Sequence, residues 1–410
     1  MTSSAITEDE GLPARGQLPA RDPLITRPLL LRFVSIIGAS SSFYLPLSVV
    51  PLYARSAGSA AAGFATGALL LVTVAVELLT PRLVARTGYR LGLSLGLLFL
   101  GLPALALLGP PDLAVIVTVS VVRGAGFAVV TVAGGALTAS LIPPGRRGEG
   151  LALTGLVSGI PALAFLPLGV FVSARWGFAP VFVATAAAAL LALVAVPGLP
   201  DGGRAGHGSA ARNAFRQTPA HGVVSVLANP SMTRPAALFS ASTVAAGVLF
   251  TFVPLAITQQ AGAIATIALF AEPAAATLAR LTAGRLGDQH GQHRLLFPGI
   301  GLATVGMAAI AATSVPALVI AGAAVFGAGF GLLQNATLAL MYARTTHRGY
   351  DAVSALWNAA YDAGMGVGAI GMGLITAPLG YPGTFLLTAA LVLLALIPAI
   401  RERHQRVSHR

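Results

Sequence analysis

Ala283-Gly284-Arg285-Leu286-Gly287-Asp288-Gln289-His290-Gly291-Gln292-His293-Arg294 sits between two long apolar runs. Its glycines suit a tight turn, because glycine takes positive φ without a steric penalty. Asp288 and the arginines are too costly to leave in hydrocarbon, so the stretch reads as a short loop at a membrane face. It has an echo upstream in Pro81-Arg82-Leu83-Val84-Ala85-Arg86-Thr87-Gly88-Tyr89-Arg90. The two share one register, an offset of 203 residues (291 − 88). The same offset carries Pro51-Leu52 onto Pro254-Leu255, Gly124-Ala125-Gly126-Phe127 onto Gly327-Ala328-Gly329-Phe330, and Gly177 onto Gly380. A chain of 410 residues with these matches at one offset reads as two copies of one unit of half its length.

Composition fixes the solvent. Hydrophobic residues make up 56% of the chain and charged residues 9%, where a soluble domain carries about 25% charge. Folded in water, such a chain would expose more apolar surface than a soluble protein tolerates. It therefore reads as a polytopic membrane protein. Cysteine is absent, which excludes a disulfide framework and thiolate chemistry. The net charge of +12 comes entirely from arginine on the basic side.

Apolar runs occupy about 29–54, 60–81, 91–109, 112–142, 150–174, 179–198, 235–258, 263–283, 295–314, 316–343, 350–377 and 383–400. Each is near the ~20 residues needed to cross a bilayer. In lipid the backbone must satisfy its own hydrogen bonds, so these are read as helices. The ~10-residue alternating pattern of a membrane barrel is missing. The expected fold class is an all-α integral membrane protein, with twelve transmembrane helices in two pseudo-symmetric six-helix bundles. Residues 1–28 read as a disordered tail, 29–198 as the first bundle, 199–233 as a linker, 234–400 as the second bundle and 401–410 as a tail. Within the linker, Val223, Val224, Val226 and Leu227 suit either a short helix on the membrane surface or a flexible connection.

Twelve crossings put both ends on one side. Nearly all the arginines at or near the ends of the runs, including Arg27, Arg32, Arg82, Arg86, Arg90, Arg285, Arg294 and Arg344, then fall on that side. Arg55 and Arg175 fall on the other. The positive-inside rule makes the arginine-rich side cytoplasmic, which places a multi-pass protein in the cell membrane with both termini inside. It also accounts for the basic balance without a nucleic-acid partner.

A duplicated six-span unit with a Gly-Asp-Gly stretch after the second span of each half resembles the major facilitator superfamily. The family pattern Gly-x-Leu-x-Asp-x-x-Gly-Arg-Arg is matched by Gly284, Leu286, Asp288 and Gly291, with Arg294 nearby. The first half keeps Arg86, Gly88 and Arg90, with Pro81 and Ala85 replacing the first Gly and the Asp. Arg123-Gly124-Ala125-Gly126 is similar to the family's fourth-span Arg motif. Pro167-Leu168-Gly169 partly matches the fifth-span motif of antiporters, with Leu166 and Val170 where that motif has glycine. The resemblance extends to bacterial drug and sugar efflux members. It implies two bundles that rock about a central cavity, exposing it to each side in turn. It also implies a gate at the cytoplasmic face, formed by Gly284, Asp288, Gly291, Arg294, Arg86, Gly88 and Arg90, with Glu77 beside it.

Intramembrane ionisable groups are functional candidates by default. At ~1.5 Å per residue, Glu272, Asp362 and Arg123 stand about 16–18 Å from the nearer face, close to the middle of a ~30 Å core. Asp362 is the first candidate for a proton carrier; the alternative is a hydrogen bond to Asn358 or Tyr361 between helices. Glu272, followed by Pro273, suits a proton or cation site or a polar anchor in a bent helix. Arg123 suits an anionic substrate group or a carboxylate partner. Glu77 suits an ion pair with Arg82 or Arg86. Ser41, Tyr44, Gln334, Asn335, Trp357, Asn358 and Tyr361 are candidate cavity contacts, or polar contacts between helices. His290 and His293 are too few for a metal site, and no cofactor motif is present.

Without lysine the Gly-x4-Gly-Lys phosphate loop is impossible, so transport must run on a gradient or downhill. The reading favoured by the sequence is proton-coupled efflux of small amphipathic molecules by a monomer. The alternative is an uptake permease for a polar metabolite. A membrane enzyme or a receptor ranks last, because no His/Asp/Glu cluster gathers at one face.

Overall fold

The computed structural model describes residues 23–57, 59–143, 147–201, 229–257, 262–345 and 350–400. Most of the expected tails and the 202–228 part of the linker, with its candidate surface helix, lie outside the described residues. Eleven helices organise the rest: α1 Arg27–Leu47, α2 Ser59–Glu77, α3 Thr80–Gly101, α4 Leu113–Leu141, α5 Arg147–Trp176, α6 Phe178–Leu193, α7 Pro230–Ala256, α8 Gly262–His290, α9 Leu296–Ile310, α10 Pro316–Tyr342 and α11 Tyr350–Leu394. Each coincides over most of its length with an apolar stretch long enough to span a membrane.

The last stretch, Val353–Ile400, has 48 residues. Straight, it would run about 72 Å, more than twice a bilayer core. It breaks at Gly380, with φ 67° and ψ 171°. Thr384 Oγ1 donates to Thr376 Oγ1 at 3.1 Å across that break. Residues eight apart in one helix stand about 12 Å apart, so the chain doubles back and the two arms of α11 are the eleventh and twelfth crossings.

The duplication is written in the backbone. Among the described residues the positive-φ positions are Gly88, Gly177, Gly291 and Gly380. They form two pairs at the 203-residue offset. The starts of α1, α2, α4 and α5 map by the same offset onto those of α7, α8, α10 and α11. Packing repeats too. A Cβ on Gly124 would strike the carbonyl of Leu69, and one on Gly327 the carbonyl of Glu272. One on Gly126 would meet the Leu100 nitrogen at 2.5 Å, and one on Gly329 the Ala303 nitrogen. Close backbone approach at small residues is how helices associate in lipid, where no hydrophobic force separates them from the solvent.

The expected loops at the termini face are shorter than the sequence suggested. α8 stays helical to His290 and only Gly291, at φ 91°, turns the chain. α3 already starts at Thr80, with Gly88 as its single non-helical residue. Asp288 is therefore on a helix end. Arg32 also departs from expectation. It is buried within α1, donating from Nε to the Gly134 carbonyl at 3.2 Å and Thr138 Oγ1 at 3.1 Å, and from Nη1 to Ser35 Oγ at 3.0 Å. Partners on α4 hold it inside, so it is not a surface charge.

The halves meet toward the face opposite the termini. A Cβ on Gly63 of α2 would strike the Ala369 carbonyl of α11, and one on Gly67 would come within 2.9 Å of the Gly366 carbonyl. Thr251 Oγ1 of α7 donates to Thr66 Oγ1 of α2 at 3.2 Å. Nearer the termini face, Gly135, Gly155, Gly159 and Gly284 have open space around them.

Candidate functional site

The second half builds an aromatic wall. Phe239 of α7 stacks on Trp357 of α11 at 4.3 Å with planes 10° apart. Phe330 of α10 lies 6.0 Å from Phe239 and 6.1 Å from Tyr361. Tyr361 is 5.8 Å from Phe239 and 6.0 Å from Trp357. Trp357 donates through Nε1 to Thr337 Oγ1 at 3.2 Å, which fixes its ring. Phe239 and Phe330 are buried, while Trp357 and Tyr361 are half-buried.

Acidic groups gather beside this wall. Glu272 of α8 is 1% exposed, and its Oε1 has no hydrogen-bond partner. Pro273 has no amide hydrogen and removes one rung of the helix beside it. Asp362 of α11 is 8% exposed, and among the described residues it makes no hydrogen bond, to Asn358 and Tyr361 included. Tyr44 of α1 and Tyr361 each lie within electrostatic reach of Glu272, Asp362 and Arg280 of α8, and Arg280 is the electrostatic neighbour of Glu272. Glu77 of α2 is an electrostatic neighbour of Asp362, across the boundary between the halves. Arg280 is exposed and donates to Thr277 Oγ1 at 3.0 Å.

Of the other candidates, Gln334 and Asn335 of α10 each hold a buried side-chain oxygen without a partner. Ser41 turns back on its own helix, donating to the Ile37 carbonyl at 2.6 Å. Asn358 is exposed. Arg123 is 2% exposed and, among the described residues, pairs with no carboxylate. Its Nε donates to the Leu100 carbonyl at 2.9 Å and its Nη2 to the Ser42 carbonyl at 2.6 Å. Proline frees both acceptors. Pro46 denies Ser42 its usual partner four residues on, and Pro103 denies Leu100 the i+3 partner of the short 3-10 segment Leu102–Leu108. Arg123 thus ties α1, α3 and α4 together. A small, mostly apolar cavity lined by Pro46, Thr66, Ser120 and Arg123 lies in the first half and holds no carboxylate.

At the termini face, Arg86, Arg90 and Arg294 are exposed and Glu77 is half-buried. Among the described residues, Glu77 makes no ion pair with Arg82 or Arg86. Arg90 instead donates from Nε to the Leu199 carbonyl at 2.6 Å, and its backbone N–H reaches Asp201 Oδ1 at 3.4 Å. Asp201 Oδ1 would stand 2.6 Å from a Cβ on Gly88. Gly284 and Gly291 are near that face on α8 and at its end; the side chain of Asp288 lies outside the described residues.

Sequence reasoning missed Phe239, Phe330, Arg280 and Asp201. Phe330 ends a repeated Gly-Ala-Gly-Phe and could have been found from it. Nothing in the local pattern distinguishes Phe239 from an ordinary core residue.

The Major Facilitator Superfamily model matches residues 32–271 and 236–409. The chain belongs to that superfamily, and it is a multi-pass membrane transporter with the superfamily fold. The nucleoside transporter NupG superposes with a TM-score of 0.72 at 12% identity, over 93% of this chain and 99% of that one. A D-xylose-proton symporter gives 0.72 at 15% identity, over 92% and 97%. The xylose transporter XylE from E. coli, in a partially occluded inward-open conformation, gives 0.69 at 14% identity, over 90% and 96%. At these identities the likeness establishes the fold.

Proposed function

We propose that this chain is a proton-coupled secondary transporter that exports small amphipathic molecules by alternating access. The observation that carries the reading is a pair of buried carboxyls, Glu272 and Asp362, both electrostatic neighbours of Tyr361 in the aromatic wall. A buried carboxyl that takes a proton from one side and gives it up to the other links substrate movement to the proton gradient. Asp362 has Glu77 of the opposite half as its electrostatic neighbour, so rocking of the halves changes its surroundings. The 29–198 and 234–400 bundles are the rocking bodies, the termini face is cytoplasmic, and the membrane is the cell membrane. Gly284, Asp288, Gly291 and Arg294 serve the cytoplasmic gate, together with Arg86, Gly88 and Arg90. With the halves in contact toward the opposite face, the conformation described is the inward-facing one.

A second reading, proton-coupled uptake of a polar metabolite, is favoured by the nucleoside and xylose transporters among the structural neighbours. Drug susceptibility separates the two. An efflux-deficient bacterial host expressing the intact chain is expected to resist part of a diverse compound panel, and the Asp362→Asn form to lose that resistance. Sensitisation or no change, with the protein present in the membrane, would replace export with uptake.

A further inference from the structure

We propose that the central site takes a planar aromatic molecule that carries a positive charge and N–H donors. Binding of such a molecule stands apart from the transport reading; only its passage across the membrane rests on that reading. The first support is charge. Glu272 and Asp362 are two buried carboxyl groups beside the wall, Glu77 at the end of α2 is the electrostatic neighbour of Asp362, and a single arginine, Arg280, offsets them. Arg123 is bound to two backbone carbonyls, and Arg280 is exposed and donates to Thr277. A site with more carboxyls than arginines favours a cationic ligand.

The second support is the hydrogen-bond inventory. Glu272 Oε1, Gln334 Oε1 and Asn335 Oδ1 are buried oxygens with no partner. A buried acceptor without a donor is a standing cost that a ligand N–H removes. The amide nitrogens of Gln334 and Asn335 could serve a neutral ligand as well, so it is Glu272 that separates the classes.

The third support is the wall. The indole of Trp357 lies with one face on Phe239 and is held by Thr337, and Tyr361 stands 6.0 Å away. Trp357 and Tyr361 are half-buried, and aromatic rings attract a cation or a second planar ring where they are accessible.

The chain has two tryptophans, and Trp176 is exposed, remote in sequence from the wall. In purified full-length protein carrying Trp176→Phe, Trp357 becomes the sole indole reporter. Energy transfer from Trp357 is measured to two probes of the same ring: cationic 9-aminoacridine, and acridine at a pH where it is neutral. Uridine and D-xylose are added as competitors. The amine is expected to bind at least about tenfold tighter than acridine. Glu272→Gln should abolish that preference, while Tyr361→Leu should weaken both rings and leave the preference intact. Asp362→Asn serves as a second charge-removing variant should Glu272→Gln fail to fold. Equal affinity for the two rings, binding of neither, ready displacement by xylose or uridine, or a preference that survives removal of either carboxyl would overturn the proposal. Binding as expected without movement of the amine into proteoliposomes under a pH gradient would sink the transport reading and leave the ligand class standing.

Discussion

Arg123 and Glu272 occupy comparable depths and have opposite circumstances. The guanidinium of Arg123 is satisfied by two carbonyls that prolines release, whereas Glu272 keeps an oxygen with no partner. Replacing Arg123 by Met keeps most of the apolar volume and leaves both carbonyls unpaired. Hydrogen bonds to a charged group contribute about 1.5–3 kcal/mol each, so Arg123→Met is expected to lower the unfolding temperature in detergent markedly. An unchanged melting curve would show that water or repacking replaces the guanidinium. The sequence located these ionisable groups by depth, because charge in an apolar run is conspicuous. It did not reveal their partners. The carbonyls that hold Arg123 belong to residues 23 and 81 positions away, and local pattern carries nothing about them. Arg32, assigned to the surface by its nearness to a run's start, was misplaced for the same reason.

At the scale of elements, glycine carries most of the information. Gly88, Gly177, Gly291 and Gly380 take positive φ, and their spacing was visible as a repeat in the sequence. The turns were therefore legible, while the helical continuation of α8 to His290 was not, because helix ends at a membrane face are set by packing and capping rather than by hydropathy alone. The seam between α2 and α11 is a second glycine feature. Gly67 sits against Ile370 and the Gly366 carbonyl, where a large side chain has no room. Gly67→Leu is expected to separate the halves on the face opposite the termini. Because the chain has no cysteine, a single cysteine introduced at Thr66 reports this without background. Its labelling by an impermeant maleimide from that face should rise several-fold relative to the Gly67 parent, following the loss of close packing. Unaltered labelling would mean that the seam is not the closed gate. At the termini face, Gly291→Ala puts a β-carbon at φ 91° and ψ 131°, a region that suits glycine alone, at a cost on the order of 1–3 kcal/mol. It is expected to slow turnover in a transport assay while substrate affinity stays unchanged; weakened affinity with normal turnover would move that loop from gate to site.

The whole molecule pairs a repeated backbone with unrepeated chemistry. Gly124 against Leu69 and Gly327 against Glu272 are the same contact in the two halves, yet one places leucine and the other a carboxylate at the centre. Arg123 has Phe326 as its counterpart at the shared offset. The first half thus contributes a locked arginine and Glu77, and the second half contributes the aromatic wall and the buried acids Glu272 and Asp362. The architecture could be read from the sequence because duplication constrains every span at once. The site could be read only in part, because function resides where the two copies differ, and a difference has no pattern of its own.

The central claim is that Asp362 carries the coupled proton, and one measurement tests it most directly. Purified intact protein and the Asp362→Asn form are reconstituted into proteoliposomes. Movement of a substrate identified in the susceptibility panel is then tracked with an imposed pH gradient, and again as exchange with no gradient. The variant is expected to lose gradient-driven accumulation and to retain exchange, because the asparagine keeps the site's shape and removes its titration. Gradient-driven accumulation by Asp362→Asn at the rate of the intact chain would contradict the account and shift the coupling role to another carboxyl, with Glu272 the first to examine.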